Sequence, residues 1–279
     1  MAKSIMIQGT ASGVGKTIMT MALCRIFTQD GYKVAPFKSQ NMTTYTALTK
    51  DGEEIAISQL LQSQAAKAEP SADMNPLILK PSSTKKGTDV ILNGKYYDTL
   101  NPFHFKEIKP KLIPEIMQGY QNLQQRYDII VIEGAGSPVE LNLTQNSDDI
   151  VNMGIAQRTQ SPVLLVADID RGGVFAAIYG TVKLLEETQR AYIKALIVNR
   201  FKGDIAHFTE GVTILEDITG IPVAGVVPYV KFNLPEEDAL YVNNSQLDRD
   251  FSSQFDIIAD NVRQSLDMAL IYKIISHGV

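Results

Sequence analysis

Gly9-Thr10-Ala11-Ser12-Gly13-Val14-Gly15-Lys16-Thr17 follows an apolar, strand-like run and precedes a segment with helical periodicity. Glycines let backbone N–H groups turn inward around phosphate oxygens, where a Cβ would collide. The helix that follows points its positive N-terminal end at the same anion. We expect Lys16 to reach the outer phosphates and the Thr17 hydroxyl to bind Mg²⁺. The stretch therefore predicts a nucleoside triphosphate site, the alternative being a chance glycine-rich turn.

Composition limits the classes of protein to which this chain can belong. Its 279 residues are 44% hydrophobic and 20% charged, enough to form one large α/β domain or two small ones. The formal net charge of −5 argues against a general affinity for nucleic acid. The first apolar stretch is interrupted by Gln8 and Gly9, so we predict neither a signal peptide nor a membrane span. The single cysteine, Cys24, is predicted to be a core residue, and a cytoplasmic location fits.

Short β-branched runs alternate with longer segments of helical period. The predicted strands are Ser4–Gln8, Lys33–Phe37, Asp128–Glu133, Val163–Ala167, Ala195–Asn199 and Val223–Val227. The predicted helices are Thr17–Gln29, Glu54–Lys67, Ile113–Arg126, Asp148–Arg158, Val174–Glu187, Phe208–Thr219 and Phe255–Ile275. This alternation predicts an α/β fold of the P-loop NTPase type, with a mostly parallel sheet covered by helices on both faces. Ligands of such folds bind at the carboxyl ends of the strands.

The segment from about residue 70 to residue 110 has a different composition, with five prolines and many polar residues. Asn93-Gly94 predicts a hairpin between Val90–Leu92 and Tyr96–Tyr97. We interpret the segment either as an insertion that covers a substrate or as a solvated surface excursion. Four aromatic side chains either contact the substrate or form local core: Tyr96, Tyr97, Phe103 and Phe105. Three lysines either contact the acidic groups of the substrate or are solvated: Lys85, Lys86 and Lys95.

Carboxylates follow two of the predicted strands. Glu133 ends a buried strand, where a carboxylate is costly unless a cation lies beside it, so we expect it to face Mg²⁺ on the nucleotide; the alternative is a loop cap. Asp168 and Asp170 follow the next strand. One of these two is expected to contact metal or substrate, and the other to cap a helix that begins at Val174.

Ordered sequence blocks extend across nearly the first 240 residues. After the phosphate loop they are Ala35–Met42, Asp51–Ala56, Met74–Pro81, Glu133–Glu140, Asp149–Gly154, Asp168–Gly173, Asn199–Asp204 and Leu234–Asp238. Together these blocks resemble the synthetase domain of the cobyric acid synthase family. The phosphate loop, which has Gly9 one place earlier than the usual glycine, also resembles that of dethiobiotin synthetase, whose fold the family shares.

The resemblance implies an ATP- and Mg²⁺-dependent ligase of cobalamin biosynthesis that amidates corrinoid carboxylates, converting cobyrinic acid a,c-diamide to cobyric acid through an acyl phosphate. The implied catalytic residues are Lys16, Lys38, Glu133 and Asp170. Nucleotide contacts are expected from Gly13, Val14, Gly15, Lys16, Thr17, Ile18, Asn199 (to adenine) and Arg200. The expected Mg²⁺ ligands are Thr17, Glu54 and Glu133, and the expected substrate contacts are Gln40, Asn41 and Asn152.

The family usually continues into a glutaminase domain with a cysteine nucleophile. Because Cys24 lies in the nucleotide-loop helix, no Cys–His glutaminase pair is predicted within these residues, and ammonia is expected from a missing domain, a partner chain or solution. We divide the chain into a synthetase domain, 1–240, and a linker with a C-terminal helix, 241–279. Alternatives are another dethiobiotin synthetase-like ligase or a partitioning-type switch ATPase. No nucleic acid or membrane partner is expected, and a homodimer is left open.

Overall fold

A six-stranded parallel sheet forms the centre of the structure, a computed structural model that describes residues 2–82, 86–140, 149–234 and 251–279. Its strands are β1 (Lys3–Gly9), β2 (Val34–Phe37), β9 (Ile129–Glu133), β10 (Val163–Asp168), β11 (Ile193–Phe201) and β12 (Val223–Pro228). The six strands predicted from the sequence are confirmed, with bounds that shift by no more than two residues. Every pairing is parallel, so all carboxyl ends lie at one edge.

The strand order, β12-β11-β10-β1-β9-β2, places β1 inside the sheet, between β10 and β9. The chain reaches β9 on one side of β1 and β10 on the other, so the strand order changes direction at β1. In open α/β sheets this change of direction opens a crevice at the carboxyl ends, where ligands bind. The residues that follow β1, β9 and β10 therefore border a single site.

Helices cover both faces of this sheet. They are α1 (Lys16–Gln29), α2 (Ile57–Ala65), α3 (Pro102–Gln124), α4 (Met153–Thr159), α5 (Val174–Leu184), α6 (Glu187–Arg190), α7 (Thr209–Thr219), α8 (Ser252–Ser265) and α9 (Met268–His277). Along β1, Ile5 and Ile7 pack with α1, α2, α8 and α9, whereas Met6 packs with α3, α4, α5 and α7. This alternation arises because successive strand side chains point to opposite faces, and burial on both faces requires the near-continuous apolar run.

A second sheet occupies the proline-rich segment and the residues before it. Its strands, in spatial order, are β3 (Gln40–Met42), β6 (Leu77–Pro81), β7 (Thr88–Leu92) and β8 (Lys95–Leu100). The predicted hairpin is confirmed: Leu92 pairs with Lys95, and Asn93 and Gly94 both have positive φ, as a two-residue turn requires. Tyr96, Tyr97 and Phe103 are 52–82% exposed, so the local-core interpretation is wrong for them, whereas Phe105 packs on the core.

Two predicted helix starts are wrong for identifiable reasons. Glu54 does not begin a helix: Glu54–Ala56 form β5, which pairs with β4 (Thr46–Leu48), and the helix starts at Ile57. The helix expected from Ile113 begins instead at Pro102, because the Asn101 side chain accepts hydrogen bonds from the Phe103 and His104 N–H groups. Lys85 lies outside the described residues, as do Asp148 and the proposed boundary at residue 240.

The C-terminal segment forms two helices instead of the single predicted one. Leu266 leaves the helical conformation to form an antiparallel bridge with Gly225 of β12, and the Asp267 carboxylate caps the next helix by accepting from Leu270 N–H at 2.9 Å. A Cβ at position 225 would lie 2.1 Å from the Ser265 carbonyl oxygen, so this close approach needs glycine. Across the described ranges, none of the helices combines the length and apolarity that crossing a bilayer requires.

Candidate nucleotide-binding site

The loop between β1 and α1 has the close backbone packing that its glycines predict. Gly15 has φ +103°, and a Cβ there would lie 2.1 Å from the Asn199 amide nitrogen. A Cβ on Gly9 would lie 2.5 Å from a Val14 methyl carbon. Gly13 also has positive φ, with open space beside it. The loop therefore depends on glycine both for its backbone conformation and for its contact with β11.

Helix α1 begins directly after this loop, without a side-chain cap from the described residues. The preceding residue is Gly15, and no acidic side chain lies in the described first turn. The first N–H groups of a helix have no partner inside the helix and carry partial positive charge. Thr17 and Ile18 lie in this turn and are half-buried. The helix start therefore has the polarity that a phosphate group requires.

The Lys16 side chain lies across the site, between two loops. Its ammonium donates to the carbonyl oxygens of Ala11, at 3.0 Å, and Gly136, at 2.8 Å. Only 7% of the residue is exposed. Since the two carbonyls belong to the phosphate loop and to the loop after β9, the ammonium lies where both loops meet. A phosphate oxygen beside these loops could accept from the same ammonium.

Glu133 is the acceptor at the centre of the site, at the carboxyl end of β9. Its Oε1 accepts from the Thr17 hydroxyl, at 3.0 Å, and from the Lys38 ammonium, at 2.9 Å. Its Oε2 accepts from the Gln62 amide. The Glu133 and Lys38 side chains are 1% and 7% exposed, so both charges of this ion pair are desolvated. A buried carboxylate of this kind is stable only with partners of this number and sign.

The oxygen atoms of Thr17 and Glu133 fit a magnesium-bound nucleotide. Both are hard oxygen donors of the type that Mg²⁺ prefers, and they lie 3.0 Å apart beside the glycine cradle. No group of three or more histidine, cysteine or acidic side chains in the described ranges could hold a metal by itself. Mg²⁺ commonly takes one or two protein oxygens, with the remaining positions filled by phosphate and water. The residues present are therefore compatible with this cation on a nucleotide.

Glu54 lies outside this cluster. Its carboxylate pairs with the Lys80 ammonium and accepts from the Thr46 hydroxyl at 2.5 Å. These partners come from β6 and β4 and belong to the smaller sheets, whereas Thr17 and Glu133 belong to the central one. The structure thus does not bring Glu54 together with Thr17 and Glu133 through any described hydrogen bond, and its role as a metal ligand stays a prediction.

A second group of predicted residues meets beyond β10. Asp168 pairs with Arg200 at 2.8 Å, and Asp170 pairs with Lys202 at 2.6 Å. Asp170, Arg200 and Lys202 help to line a cavity of about 210 Å³. The expected capping of α5 by one of these aspartates is wrong: Gly173 precedes the helix, and no side-chain cap is formed among the described residues. Asp168 instead accepts from the Asp170 backbone N–H.

The remaining predicted contacts are Asn199, Asn41, Asn152 and Gln40, and the first three use their amides inside the protein. Asn199 donates to the Val14 carbonyl oxygen at 2.8 Å. Asn41 donates to the Ser58 hydroxyl at 3.0 Å, and Gln40 is half-buried in β3. Asn152 donates to two carbonyl oxygens of the 135–137 loop, and a Cβ on Gly134 would lie 2.3 Å from its Oδ1. Their roles toward ligands stay predictions.

Cys24 is buried in α1, as predicted. Burial raises the pKa of the Cys24 thiol, and the negative charge of Glu133 raises it further. A thiol kept neutral in this way is a poor nucleophile. Cys24 is therefore a packing residue in the described structure.

Sequence analysis missed Gln62, which donates to Glu133 from α2. The only available signal was the run of polar residues in a predicted helix, Gln59, Gln62 and Gln64, and a glutamine in a helix is usually solvated. In the structure, Gln59 and Gln62 are instead fully buried. Tertiary packing alone reveals that this helix turns toward β9.

The parallel sheet, the glycine cradle and the lysine at the start of α1 define a P-loop nucleotide-binding domain. Residues 5–240 match the family described as the CobQ/CobB/MinD/ParA nucleotide binding domain, and the chain belongs to that family. Because the matched range includes β3 to β8, the smaller sheets belong to the family's domain.

Three curated relatives of this chain are cobyric acid synthases. The protein of Lachnoclostridium phytofermentans is 54% identical over 244 residues, which are 86% of this chain and 47% of that protein. The protein of Ruminiclostridium cellulolyticum is 50% identical over a region that covers 86% of this chain and 46% of that protein. The protein of Photorhabdus laumondii is 47% identical over a region that covers 92% of this chain and 50% of that protein. The chain thus spans about half the length of the curated relatives it matches, and the predicted resemblance is confirmed over that half.

Proposed function

We propose that this chain is the ATP-dependent half of a cobyric acid synthase and activates corrinoid carboxylates for amidation. The observation that carries the proposal is the 54% identity to a cobyric acid synthase over 86% of this chain. The site described above supports it, because a desolvated acid and two lysines surround the glycine cradle. Dethiobiotin synthetase-like ligases share these parts, so the proposal depends on the substrate.

The reaction requires activation, because a carboxylate does not lose oxide to ammonia. Transfer of the γ-phosphoryl group to a carboxylate oxygen forms a new P–O bond and releases ADP. Ammonia then forms the C–N bond, phosphate leaves with the C–O bond pair, and the nitrogen loses a proton. Phosphoryl transfer mainly needs positioning and neutralised charge, and these are the contributions that the site can make.

Each residue of the cluster has a role in this proposal. The Lys16 ammonium and the N–H groups at the start of α1 bind the phosphates. Thr17 and Glu133 would hold Mg²⁺, which neutralises phosphate charge when bound. Lys38, 2.9 Å from Glu133, orients the substrate carboxylate or the transferring phosphoryl group. Asn199 and Arg200 would border the base, on the β11 side of the loop.

The proposed substrate side is the small sheets beyond β2. Met42, Leu48, Tyr96 and Tyr97 are 52–75% exposed there. Exposed apolar side chains mark a ligand-binding surface where they form one patch, and we propose that these do. A corrinoid is a large ring with an apolar face and acidic side chains. The Lys80–Glu54 pair, with side chains 25% and 19% exposed, provides a cation beside this surface.

The proposal is tested by measuring ADP release from the chain with Mg²⁺, ATP, ammonium chloride and cobyrinic acid a,c-diamide. Ammonium in solution makes the assay independent of any glutamine-hydrolysing domain. We expect ADP release only when all components are present, together with a mass loss of about 1 Da per amidated carboxylate. ADP release with diaminononanoate and bicarbonate instead would indicate a dethiobiotin synthetase-like ligase. Release that needs neither substrate and rises steeply with protein concentration would indicate a switch ATPase.

A further inference from the structure

Two buried glutamines of α2 connect that helix to the carboxylate at the centre of the site. The Gln62 amide donates to Glu133 Oε2, and the Gln59 amide donates to Gln62 Oε1 at 2.7 Å. Both glutamines are 0% exposed. Glutamine is seldom buried to this extent without a specific partner, because an amide is costly to desolvate.

The contact from Gln59 determines which end of the Gln62 amide faces Glu133. Since Gln62 Oε1 already accepts a hydrogen bond, its NH₂ group is the end that points to the carboxylate. The reverse orientation would place two oxygen acceptors against each other. Gln59 Oε1 is buried without a hydrogen-bond partner among the described residues, so this arrangement leaves one acceptor unsatisfied.

The Gln62 contact also holds the plane of the Glu133 carboxylate, with one oxygen on α2 and the other toward the nucleotide loop. Oε2 is used by Gln62, which leaves Oε1 toward the Thr17 hydroxyl and the Lys38 ammonium. Without Gln62 the carboxylate could rotate about its last bond, so neither oxygen would be held toward the nucleotide loop. Carboxylates that bind metals are commonly held by hydrogen bonds of this kind, and their loss weakens metal binding about 10- to 100-fold.

We propose that Gln62 is a positioning residue that orients Glu133 toward Mg²⁺-nucleotide, with Gln59 setting the orientation of Gln62. The proposal rests on the nucleotide function proposed above. It adds that α2, which follows β5 directly, is mechanically linked to the nucleotide site. Binding of Mg²⁺-ATP should therefore be detectable in α2 as well as in the phosphate loop.

The test is Gln62→Met, which keeps the length and packing of the side chain and removes the amide donor. Nucleotide affinity of the full 279-residue chain is measured by calorimetry across a magnesium titration. We expect the Mg²⁺ concentration for half-maximal ATP binding to rise about tenfold or more. Affinity for ATP without magnesium should stay within about twofold, because the loop amides and Lys16 are unchanged.

Gln64→Met is the matched control, since Gln64 lies on the same helix and makes no described contact with Glu133. We expect its magnesium requirement to equal that of the wild type. Gln59→Met should have a smaller effect than Gln62→Met, a rise of about threefold, because the Gln62 amide could then turn. This second variant keeps the proposal testable if Gln62→Met does not fold.

Hydrogen exchange provides a readout that does not depend on turnover. In the wild type, Mg²⁺-ATP should slow amide exchange in α2, and Gln62→Met should abolish this protection while leaving it in α1. Unchanged magnesium requirement in a folded Gln62→Met, or in Gln59→Met where the first variant fails to fold, would overturn the positioning role alone. A wild-type chain that does not bind Mg²⁺-ATP would overturn the nucleotide function as well.

Discussion

Glu133 and Glu54 are two carboxylates with the same predicted role, yet they lie in different chemical settings. The Glu133 side chain is 1% exposed and contacts Thr17, Lys38 and Gln62 at the edge of the central sheet. The Glu54 side chain is 19% exposed and pairs with Lys80 on the small sheets. The difference shows that the position of a carboxylate relative to the phosphate loop, rather than its residue type, decides whether it can reach a nucleotide.

The largest expected effect comes from Lys16→Ala. This variant tests whether the nucleotide binds at the phosphate loop beside Glu133. ATP turnover should fall at least about 100-fold, near 3 kcal/mol, because charge developing on the phosphates would lose its buried cation. Steady-state kinetics with ATP and the corrinoid provide the measurement. Lys33→Ala, at an exposed position before β2, is the control. Turnover within about threefold, roughly 0.6 kcal/mol, would contradict the assignment.

Glu133→Gln should have the next largest effect. It tests the carboxylate at the edge of the central sheet. The magnesium requirement for ATP binding should rise at least about tenfold, because the neutral amide is a weaker ligand. The free energy of unfolding should also fall by about 3 kcal/mol, since the substitution breaks a buried ion pair with Lys38. Calorimetry and denaturant unfolding measure the two quantities. An unchanged magnesium requirement in the folded variant would remove Glu133 from the metal site.

Glu54→Gln should have a smaller effect. It tests the carboxylate on the small sheets. We expect the magnesium requirement to stay within about twofold, and the free energy of unfolding to fall by about 1 kcal/mol through the partly exposed pair with Lys80. A double-mutant cycle with Lys80→Met isolates that coupling. A tenfold rise in the magnesium requirement, equal to that of Glu133→Gln, would support Glu54 as a metal ligand and remove the expected difference between the two carboxylates.

The smallest expected effect concerns Asp256 of α8. Its carboxylate is more exposed to solvent than those of Glu133 and Glu54, so it adds a third case to the comparison. Its hydrogen bond with Arg25 of α1 lowers the pKa of Asp256 below its usual value. The pair therefore stabilises the fold above the unfolded pKa of about 3.9, and this contribution is lost as pH falls through the lower folded pKa. With the Asp256 side chain 45% exposed, we expect only about 0.5 kcal/mol.

Asp256→Asn should remove this contribution. Its unfolding free energy should fall below that of the wild type at pH 7, and the two curves should converge once the pH lies below the lowered folded pKa of Asp256. Asp260→Asn on the same helix is the control for the loss of one negative charge. A constant difference between Asp256→Asn and wild type from pH 7 to pH 2 would show that packing, not charge, connects α8 to α1.

The sequence predicted the central sheet well because its strands are buried on both faces. Such strands need continuous apolar runs, as in Ile129–Glu133, and these are visible without any structure. The phosphate loop was equally visible, because the positive φ at Gly15 favours glycine at that position. Local rules of this kind operate within a few residues.

The failures arose where a partner outside the segment overrides its local preference. Glu54 reads as the start of a helix, but pairing with Thr46–Leu48 draws it into a strand. The C-terminal helix is interrupted at Leu266 because β12 offers it a bridge at Gly225. Neither partner can be identified from the periodicity of the segment itself, because the pairing residues are separated in sequence.

The sequence by itself determined the parallel α/β fold and the phosphate loop, since apolar runs and glycine spacing act through local sterics and burial. Tertiary structure alone decided which acid and which amide meet at the loop. Thr17, Gln62 and Glu133 come from three separate elements, and Lys38 follows a fourth, β2. Only the strand order and the packing of α2 bring them within hydrogen-bonding distance. Electrostatic interactions of desolvated groups depend on such distances, which no linear spacing encodes.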